Sequence, residues 1–140
     1  MSIWKKDISL EILNQQSANT LVEHVGIEIT EVGDDYIKGT MPVDHRTHQP
    51  MGILHGGASV VLAETLGSIA GNCAVSDKRA CVGLDINANH ISKVQSGHVT
   101  GIAKALHIGR ATQVWEIKLY SDSGKLTCVS RLTLAVIDIA

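Results

Sequence analysis

One acidic residue stands alone in the middle of this sequence. Glu64 is the only charged side chain, histidines aside, between Arg46 and Asp77, and its neighbours include Leu62 and Leu66. A single glutamate on a helix is most often an ordinary solvated residue. In apolar surroundings, however, a carboxylate is partly desolvated and is suited to act as a general base or as a nucleophile. Glu64 is therefore the first candidate for a catalytic residue.

The second feature is the tripeptide His55-Gly56-Gly57, which precedes a helical pattern. Glycine is tolerated at a helix start simply because it allows a tight turn. The free N–H of Gly56 or Gly57 can also bind a carbonyl oxygen that becomes negative during a reaction, and the helix dipole favours such charge. His55 either orients that oxygen or is an ordinary loop histidine, and the sequence leaves both interpretations open.

The spacing of these two features constrains where they can act together. Gly56 and Glu64 are eight residues apart, which is about 12 Å along one helix. A base and an oxyanion donor must both lie about 3 Å from the reacting atoms. Two antiparallel helices that cross near Val60 satisfy this requirement and a single helix does not. If both features are catalytic, the sequence predicts a symmetric homodimer with two shared active sites.

Other kinds of site have weaker support. The sequence has no serine nucleophile elbow, no nucleotide-binding glycine motif and no zinc-protease motif, so we expect no cofactor. His45 and His48 share a loop without enough partners for a metal site. Cys73, Cys81 and Cys128 are too far apart for a disulfide framework or a zinc site and indicate reduced thiols. Cys128 fits a core position better than a nucleophile.

The composition limits the partners and the location. The net charge is −2 and the chain has no phenylalanine, which argues against binding to nucleic acid or to an anionic membrane. No apolar run approaches the roughly 18 residues of a membrane span, and the N-terminus lacks the apolar stretch of a signal peptide. We therefore expect a cytoplasmic protein with no nucleic-acid or membrane partner.

Hydrophobic periodicity predicts one α+β domain over residues 1–140. One or two short helices precede residue 25, and a buried helix runs from Gly56 to about Ala74 with Glu64, Ser68 and Asn72 on one polar stripe. The predicted strands cover 27–30, 36–43, 79–92, 98–107, 111–121 and 126–138. The first two should form a hairpin and the last four an antiparallel meander. A long apolar helix and a long antiparallel sheet bury each other best when the sheet curves around the helix, which is the hotdog fold.

A family resemblance rests on motifs that cover most of the chain. The motifs are Met41–Asp44, Gln49–Ser59, Leu62–Ser68, Ile3–Lys5, Val82–His90 and Gln113–Trp115. Together they resemble the hotdog thioesterases of the PaaI-like branch. The resemblance implies an acyl-CoA substrate with an aromatic, hydroxyaryl acyl group, the first candidate being 1,4-dihydroxy-2-naphthoyl-CoA of menaquinone biosynthesis. It also implies a homotetramer built from two dimers. The alternative within the branch is a proofreading enzyme that releases misloaded aryl groups from a carrier protein.

The resemblance also implies roles for individual residues. Glu64 acts as base or nucleophile, Gln49, His55 and Gly56 hold the thioester carbonyl, and Ser68 assists water or the acyl group. Ile69 lines the acyl site. CoA is expected along Val82, Gly83, His90, Ile91, Ser92, Lys93, His107, Ile108, Gly109, Arg110, Ala111 and Thr112. Relatives carry an arginine at the position of Ser92, so Lys93 or Arg110 would contact the CoA phosphates instead.

Two other functions remain open at this point. A hotdog hydratase or dehydratase pairs a histidine with an acidic residue across the dimer, and His55 and Glu64 could form such a pair. A non-catalytic acyl-CoA binder would bind ligand without releasing thiol. The combination of Gln49 with His55-Gly56-Gly57 and Glu64 favours hydrolysis.

Overall fold

The structure is a computed structural model, and it describes residues 1–139. It contains three α-helices and six β-strands within those residues. In chain order these are α1 (Leu10–Gln16), α2 (Leu21–His24), β1 (Glu28–Val32), β2 (Tyr36–Pro42), α3 (Gly56–Cys73), β3 (Arg79–His90), β4 (His98–Ile108), β5 (Thr112–Ser121) and β6 (Leu126–Asp138). All the predicted helices and strands are present, and the ends of α3 and of the six strands differ from the prediction by at most two residues.

The six strands form one antiparallel sheet in the order β1-β2-β4-β5-β6-β3. The predicted β1–β2 hairpin is confirmed, but the predicted four-strand meander is wrong. Only β4, β5 and β6 are consecutive neighbours, while β3 pairs with β6 at one edge and β2 pairs with β4. The link between β3 and β4 is not a hairpin turn, because the two strands are not neighbours in the sheet. Within this link, the carbonyls of Val94 and Gly97 accept hydrogen bonds from the backbone N–H groups of Leu54 and Val43. Those contacts carry the chain across to the other half of the sheet.

Helix α3 lies against the sheet, and glycines allow it to approach closely. A Cβ at Gly101 would lie 2.6 Å from Leu66 Cδ1, and one at Gly67 would lie 2.6 Å from Leu132 Cδ2. Both distances are too short for a real contact. The buried face of α3 consists of Ser59, Leu62, Ala63, Leu66, Gly67, Ala70, Gly71 and Cys73.

Within residues 1–139 no helix combines the length and apolarity needed to cross a membrane.

The packing of α3 predicts the cost of a core truncation. Leu66 is fully buried, so Leu66→Ala removes a side chain and leaves a cavity against the sheet. We expect a loss of about 2–5 kcal/mol in the free energy of unfolding, measured by urea denaturation. Leu21→Ala is the control, because Leu21 is 58% exposed and its truncation should cost less than about 0.5 kcal/mol. Equal losses in the two variants would contradict this account of the core.

Candidate active site

The start of α3 presents one free backbone donor. His55 is the N-cap, and its Nδ1 accepts a hydrogen bond of 2.7 Å from the Gly57 N–H. The Gly56 N–H makes no hydrogen bond within residues 1–139. Of the two glycines, Gly56 therefore supplies the available donor. The acceptor role of His55 Nδ1 also means that a neutral ring carries its proton on Nε2 and can donate from there.

A side chain at position 56 would crowd the neighbouring histidine. A Cβ on Gly56 would lie 2.9 Å from His90 Nε2. The imidazole of His90, at the end of β3, thus stands beside the free N–H. The structure brings these two predicted site residues together although they are far apart in the sequence.

A hydrogen-bonded loop holds this helix start in place. Thr47 is 2% exposed, its hydroxyl donates to the Pro42 carbonyl at 2.8 Å, and its carbonyl accepts from the His55 N–H at 2.8 Å. Arg46 donates to both carboxylate oxygens of Asp44, and its backbone N–H adds a third bond. These bonds lower the pKa of Asp44 to about 2. The loop is therefore set before any substrate arrives.

Gln49 supplies a second donor to the same region. Its N–H donates to the Ile53 carbonyl at 2.8 Å, and its Oε1 accepts from the Met51 N–H. With the side-chain oxygen engaged, the amide Nε2 is left to donate. Gln49 and Gly56 line one cavity of about 310 Å³, together with Ile53, Leu54, Ser59, His90, Ile91, Ser92, Lys93, Val94 and Thr127.

Of the residues at the end of β3 that are expected to contact CoA, Ser92 and Lys93 differ in whether their side chains are free to bind a phosphate. Ile91 is exposed, and the Ser92 hydroxyl donates to the Leu126 carbonyl at 2.7 Å. Ser92 therefore holds the β3–β4 link against β6 and cannot replace an arginine. Lys93 is exposed at the same cavity and makes no ion pair within the described chain, so it is the cation available there.

Glu64 lies in a different cavity. Its side chain is partly buried and makes no hydrogen bond or ion pair with any described residue. The cavity has a volume of about 410 Å³ and is lined by Leu13, Gln16, Ser17, Thr20, Val22, Glu64, Thr65, Ser68 and Ile69. Glu64 Oε2 also touches β3, since a Cβ at Gly83 would lie 2.7 Å from it. The carboxylate is therefore placed beside Ser68 and Ile69 but away from Gly56.

The remaining predicted residues lie outside both cavities. Val82 is 47% exposed on β3. His107 and Ile108 end β4, Gly109, Arg110 and Ala111 form the turn, and Thr112 begins β5. The Arg110 carbonyl accepts from Arg79 Nη1, and the Ala111 carbonyl accepts from the Val136 N–H. These bonds use backbone atoms and leave the Arg110 guanidinium free of ion pairs in residues 1–139.

Sequence reasoning missed one wall of the Glu64 cavity. That wall comes from α1 and α2, which contribute Leu13, Gln16, Ser17, Thr20 and Val22. Capping signals at Ser9 and Thr20 mark where these helices begin. A cap signal identifies a helix start but not the surface against which the helix packs, so no local pattern pointed to this wall.

Comparisons with known proteins identify the family. The model of the thioesterase superfamily matches residues 51–128. The chain belongs to this superfamily. A thioesterase from Haemophilus influenzae has a crystal structure that superposes with a TM-score of 0.96 at 55% identity, covering 97% of this chain and 95% of that one. The hotdog fold and the thioester hydrolase activity predicted from the sequence are thereby confirmed.

Two relatives of this thioesterase carry more specific names. The 1,4-dihydroxy-2-naphthoyl-CoA hydrolase of Escherichia coli is 48% identical over 96% of this chain and 99% of its own length. The proofreading thioesterase EntH of Cronobacter turicensis is 54% identical over 96% of this chain and 98% of its own length.

The three cysteines of the thioesterase are buried thiols. Cys73, Cys81 and Cys128 are free and buried, and burial raises the pKa of all three thiols, that of Cys73 to about 11. A thiol with a raised pKa is a poor nucleophile. In residues 1–139 no cluster of three or more histidine, cysteine or acidic side chains is arranged to hold a metal ion.

The Asp44–Arg46 pair, in the loop that precedes Gln49, predicts that the effect of removing Arg46 on stability depends on pH. Because the folded pKa of Asp44 is lowered from 3.8 to about 2, its bonds to Arg46 stabilise the fold above about pH 4 and are lost as the pH falls toward 2. Arg46→Met should therefore lower Tm at pH 6, and its Tm should approach that of the unaltered protein near pH 2. Lys125→Met controls for the lost charge. A Tm difference that is constant with pH would contradict the prediction.

Proposed function

We propose that this thioesterase hydrolyses an aromatic acyl-CoA, with 1,4-dihydroxy-2-naphthoyl-CoA of menaquinone biosynthesis as the first candidate. The proposal rests on the unpaired, partly buried Glu64 carboxylate in a cavity with apolar walls. Leu13, Val22 and Ile69 line those walls and suit a ring. The name of the Escherichia coli relative supports the choice of acyl group.

The active site is shared by two protomers. Strand β3 is an edge of the sheet, with Glu64 packed against its Gly83 and Gly56 packed against its His90. If two copies of β3 pair antiparallel about an axis near Ile86, Gly83 of one protomer faces the His90 end of the other. The carboxylate of one protomer then meets the free N–H of its partner. The same pairing covers Val82 and Leu84, which are 47% and 61% exposed in the single chain.

The chemistry of the shared site is acyl transfer to water. The thioester oxygen accepts hydrogen bonds from the Gly56 N–H and the Gln49 amide of one protomer. Glu64 of the other removes a proton from water, and the hydroxide adds to the carbonyl carbon. Collapse of the tetrahedral intermediate breaks the C–S bond, and the CoA thiolate takes the proton back from Glu64. Direct attack by Glu64, giving an anhydride that water then hydrolyses, uses the same donors.

CoA extends from this site along the sheet edge. Thr112 pairs with Ala135, which pairs with Val82, so the β4–β5 turn lies about two strand spacings, roughly 10 Å, from Val82. Arg110 in that turn and Lys93 beside the Gly56 cavity are the cations proposed to bind the CoA phosphates. In the proposed dimer the Val82 end of β3 in one protomer adjoins the His90 end of β3 in the other. Arg110 of one protomer and Lys93 of the other therefore lie near the same CoA molecule.

We extend the proposal to a homotetramer in the cytoplasm. A second pair of protomers would cover apolar side chains that are exposed in the single chain. These are Leu106, Ile108, Ile137 and Ile139. The three free cysteines fit a reducing compartment.

A carrier-protein thioester is the second candidate substrate. The relative EntH is a proofreading thioesterase and is 54% identical, so the same site could release aryl groups from a carrier protein. The hydratase alternative has less support, because His55 Nδ1 accepts the Gly57 N–H and leaves a donor rather than a base. The chain belongs to a family of thioester hydrolases, which argues against a non-catalytic acyl-CoA binder.

A substrate panel tests the acyl group and its carrier. We expect kcat/KM to be highest for 1,4-dihydroxy-2-naphthoyl-CoA, lower for benzoyl-CoA and lowest for acetyl-CoA, because the walls of the Glu64 cavity gain contact area with ring size. The measurement is thiol release, with an aryl-loaded carrier protein as the parallel substrate. A higher kcat/KM for the carrier protein would favour the proofreading function, and a preference for acetyl-CoA would contradict both.

Mixed dimers test the shared site. Glu64→Ala and Gln49→Ala should each lower kcat by about 10²–10⁴, since each removes one half of both sites. Unfolded and refolded together, the two variants should recover about a quarter of full activity, because half the dimers are mixed and each mixed dimer has one complete site. Glu64→Ala mixed with Glu64→Gln is the control. No recovery would show that both residues act within one protomer.

A further inference from the structure

The Glu64 cavity continues along α3 as a groove toward the end of the helix. A second cavity of about 290 Å³ shares Leu13, Gln16, Ser68 and Ile69 with it. The second cavity adds Lys6, Asp7, Ile8, Ile12, Asn72 and Cys73. Asn72 lies about 12 Å farther along the helix axis than Glu64. The N-terminal segment therefore forms the far end of the groove.

The N-terminal segment is fixed over the last turn of α3. Trp4 stacks on the buried Trp115 with ring centroids 6.3 Å apart and planes 6° apart. Its indole N–H donates to the Gly33 carbonyl at 2.7 Å. The Lys5 N–H then donates to the Cys73 carbonyl at 2.9 Å. These anchors determine where the next residue, Lys6, enters the groove.

Lys6 is a partly buried cation without a carboxylate partner. Two other lysines, Lys38 and Lys118, lie 3.7 Å from Glu31 and Glu116, whereas Lys6 makes no ion pair within residues 1–139. Its surroundings in the groove include Ile8 and Ile12, and the one carboxylate there, Asp7, is exposed. An ammonium group beside apolar walls loses hydration that an oxygen ligand can replace. Gln16, the last residue of α1, also lines the groove, and its side chain makes no hydrogen bond within these residues.

We infer that the N-terminal segment forms the far end of the acyl site and that Lys6 selects acyl groups carrying a hydroxyl or carboxylate remote from the thioester. The inference rests on the proposed function, because Glu64 defines the reacting end of the groove. The ring lies along Ile69 and Ile12, and the remote oxygen accepts a hydrogen bond from the Lys6 ammonium. Lys6 also lies near the carbonyl end of α3, where a cation is favourable, so the test must separate selection from simple stabilisation.

Binding of thioether analogues, which cannot be hydrolysed, tests the role of Lys6. Phenacyl-CoA and 4-hydroxyphenacyl-CoA differ only in the remote hydroxyl. We expect Lys6→Met to weaken binding of the hydroxylated analogue about tenfold and to leave phenacyl-CoA unchanged, with Lys6→Arg retaining most of the preference. Lys5→Met, at the exposed neighbouring residue, is the matched control. A stabilising role alone would lower Tm without changing the ratio of the two Kd values, and an unchanged ratio overturns the inference.

A filled groove tests where the ring lies. Ile12→Trp should weaken phenacyl-CoA about tenfold but not acetonyl-CoA, whose methyl group does not reach Ile12. Leu10→Trp is the control, since Leu10 is on the same helix and outside the groove. Equal effects on both analogues, or none, would overturn this placement. Thiol release from benzoyl-CoA by the unaltered protein reports the proposed function separately, so either idea can fail without the other.

Discussion

The fixed rise of an α-helix constrains the proposed active site more than any other feature. Each residue advances the chain by about 1.5 Å, so the N–H of Gly56 and the carboxylate of Glu64 lie about 12 Å apart along α3. No rotamer of glutamate spans that distance. A reaction that needs both groups on one carbonyl needs two copies of the helix. The structure provides a route to such an arrangement, because Gly83 and His90 on the edge strand β3 adjoin the two groups separately.

The polar stripe of α3 combines residues that stabilise the fold with the proposed catalytic carboxylate. Asn72 is fully used by the fold, since its Oδ1 accepts from the Cys81 N–H at 2.9 Å and its Nδ2 donates to the Ser68 carbonyl at 2.8 Å. The bond to Cys81, together with a second one from Nδ2 to the Cys81 carbonyl at 3.3 Å, fixes α3 against β3. Two turns earlier, Glu64 has no such partner. The stripe is thus satisfied by the protein at one end and left available to a substrate at the other.

The two halves of the proposed site are held with different rigidity. On the donor side, Thr47 and the His55 cap fix the Gly56 N–H through backbone bonds, so no ordering is needed when charge develops. On the acyl side, the short helices α1 and α2 line the cavity through side chains, and the N-terminal segment adds one backbone bond from the Lys5 N–H to the Cys73 carbonyl. Rigid donors with an adaptable acyl wall would let relatives keep the same chemistry while the acyl group changes.

The sequence by itself determined the helix and strand positions, the isolated Glu64 and the glycine-rich start of α3. Periodicity and turn residues are local properties, and they predicted α3 and all six strands to within two residues at each end. The tertiary structure alone decided that β3 pairs with β6 and that His55 caps its own helix. It also decided that the Ser92 hydroxyl donates to the Leu126 carbonyl, and that α1 and α2 form a wall beside Glu64. Each of these depends on contacts between residues distant in the sequence, and short-range patterns carry no information on which distant surfaces will meet.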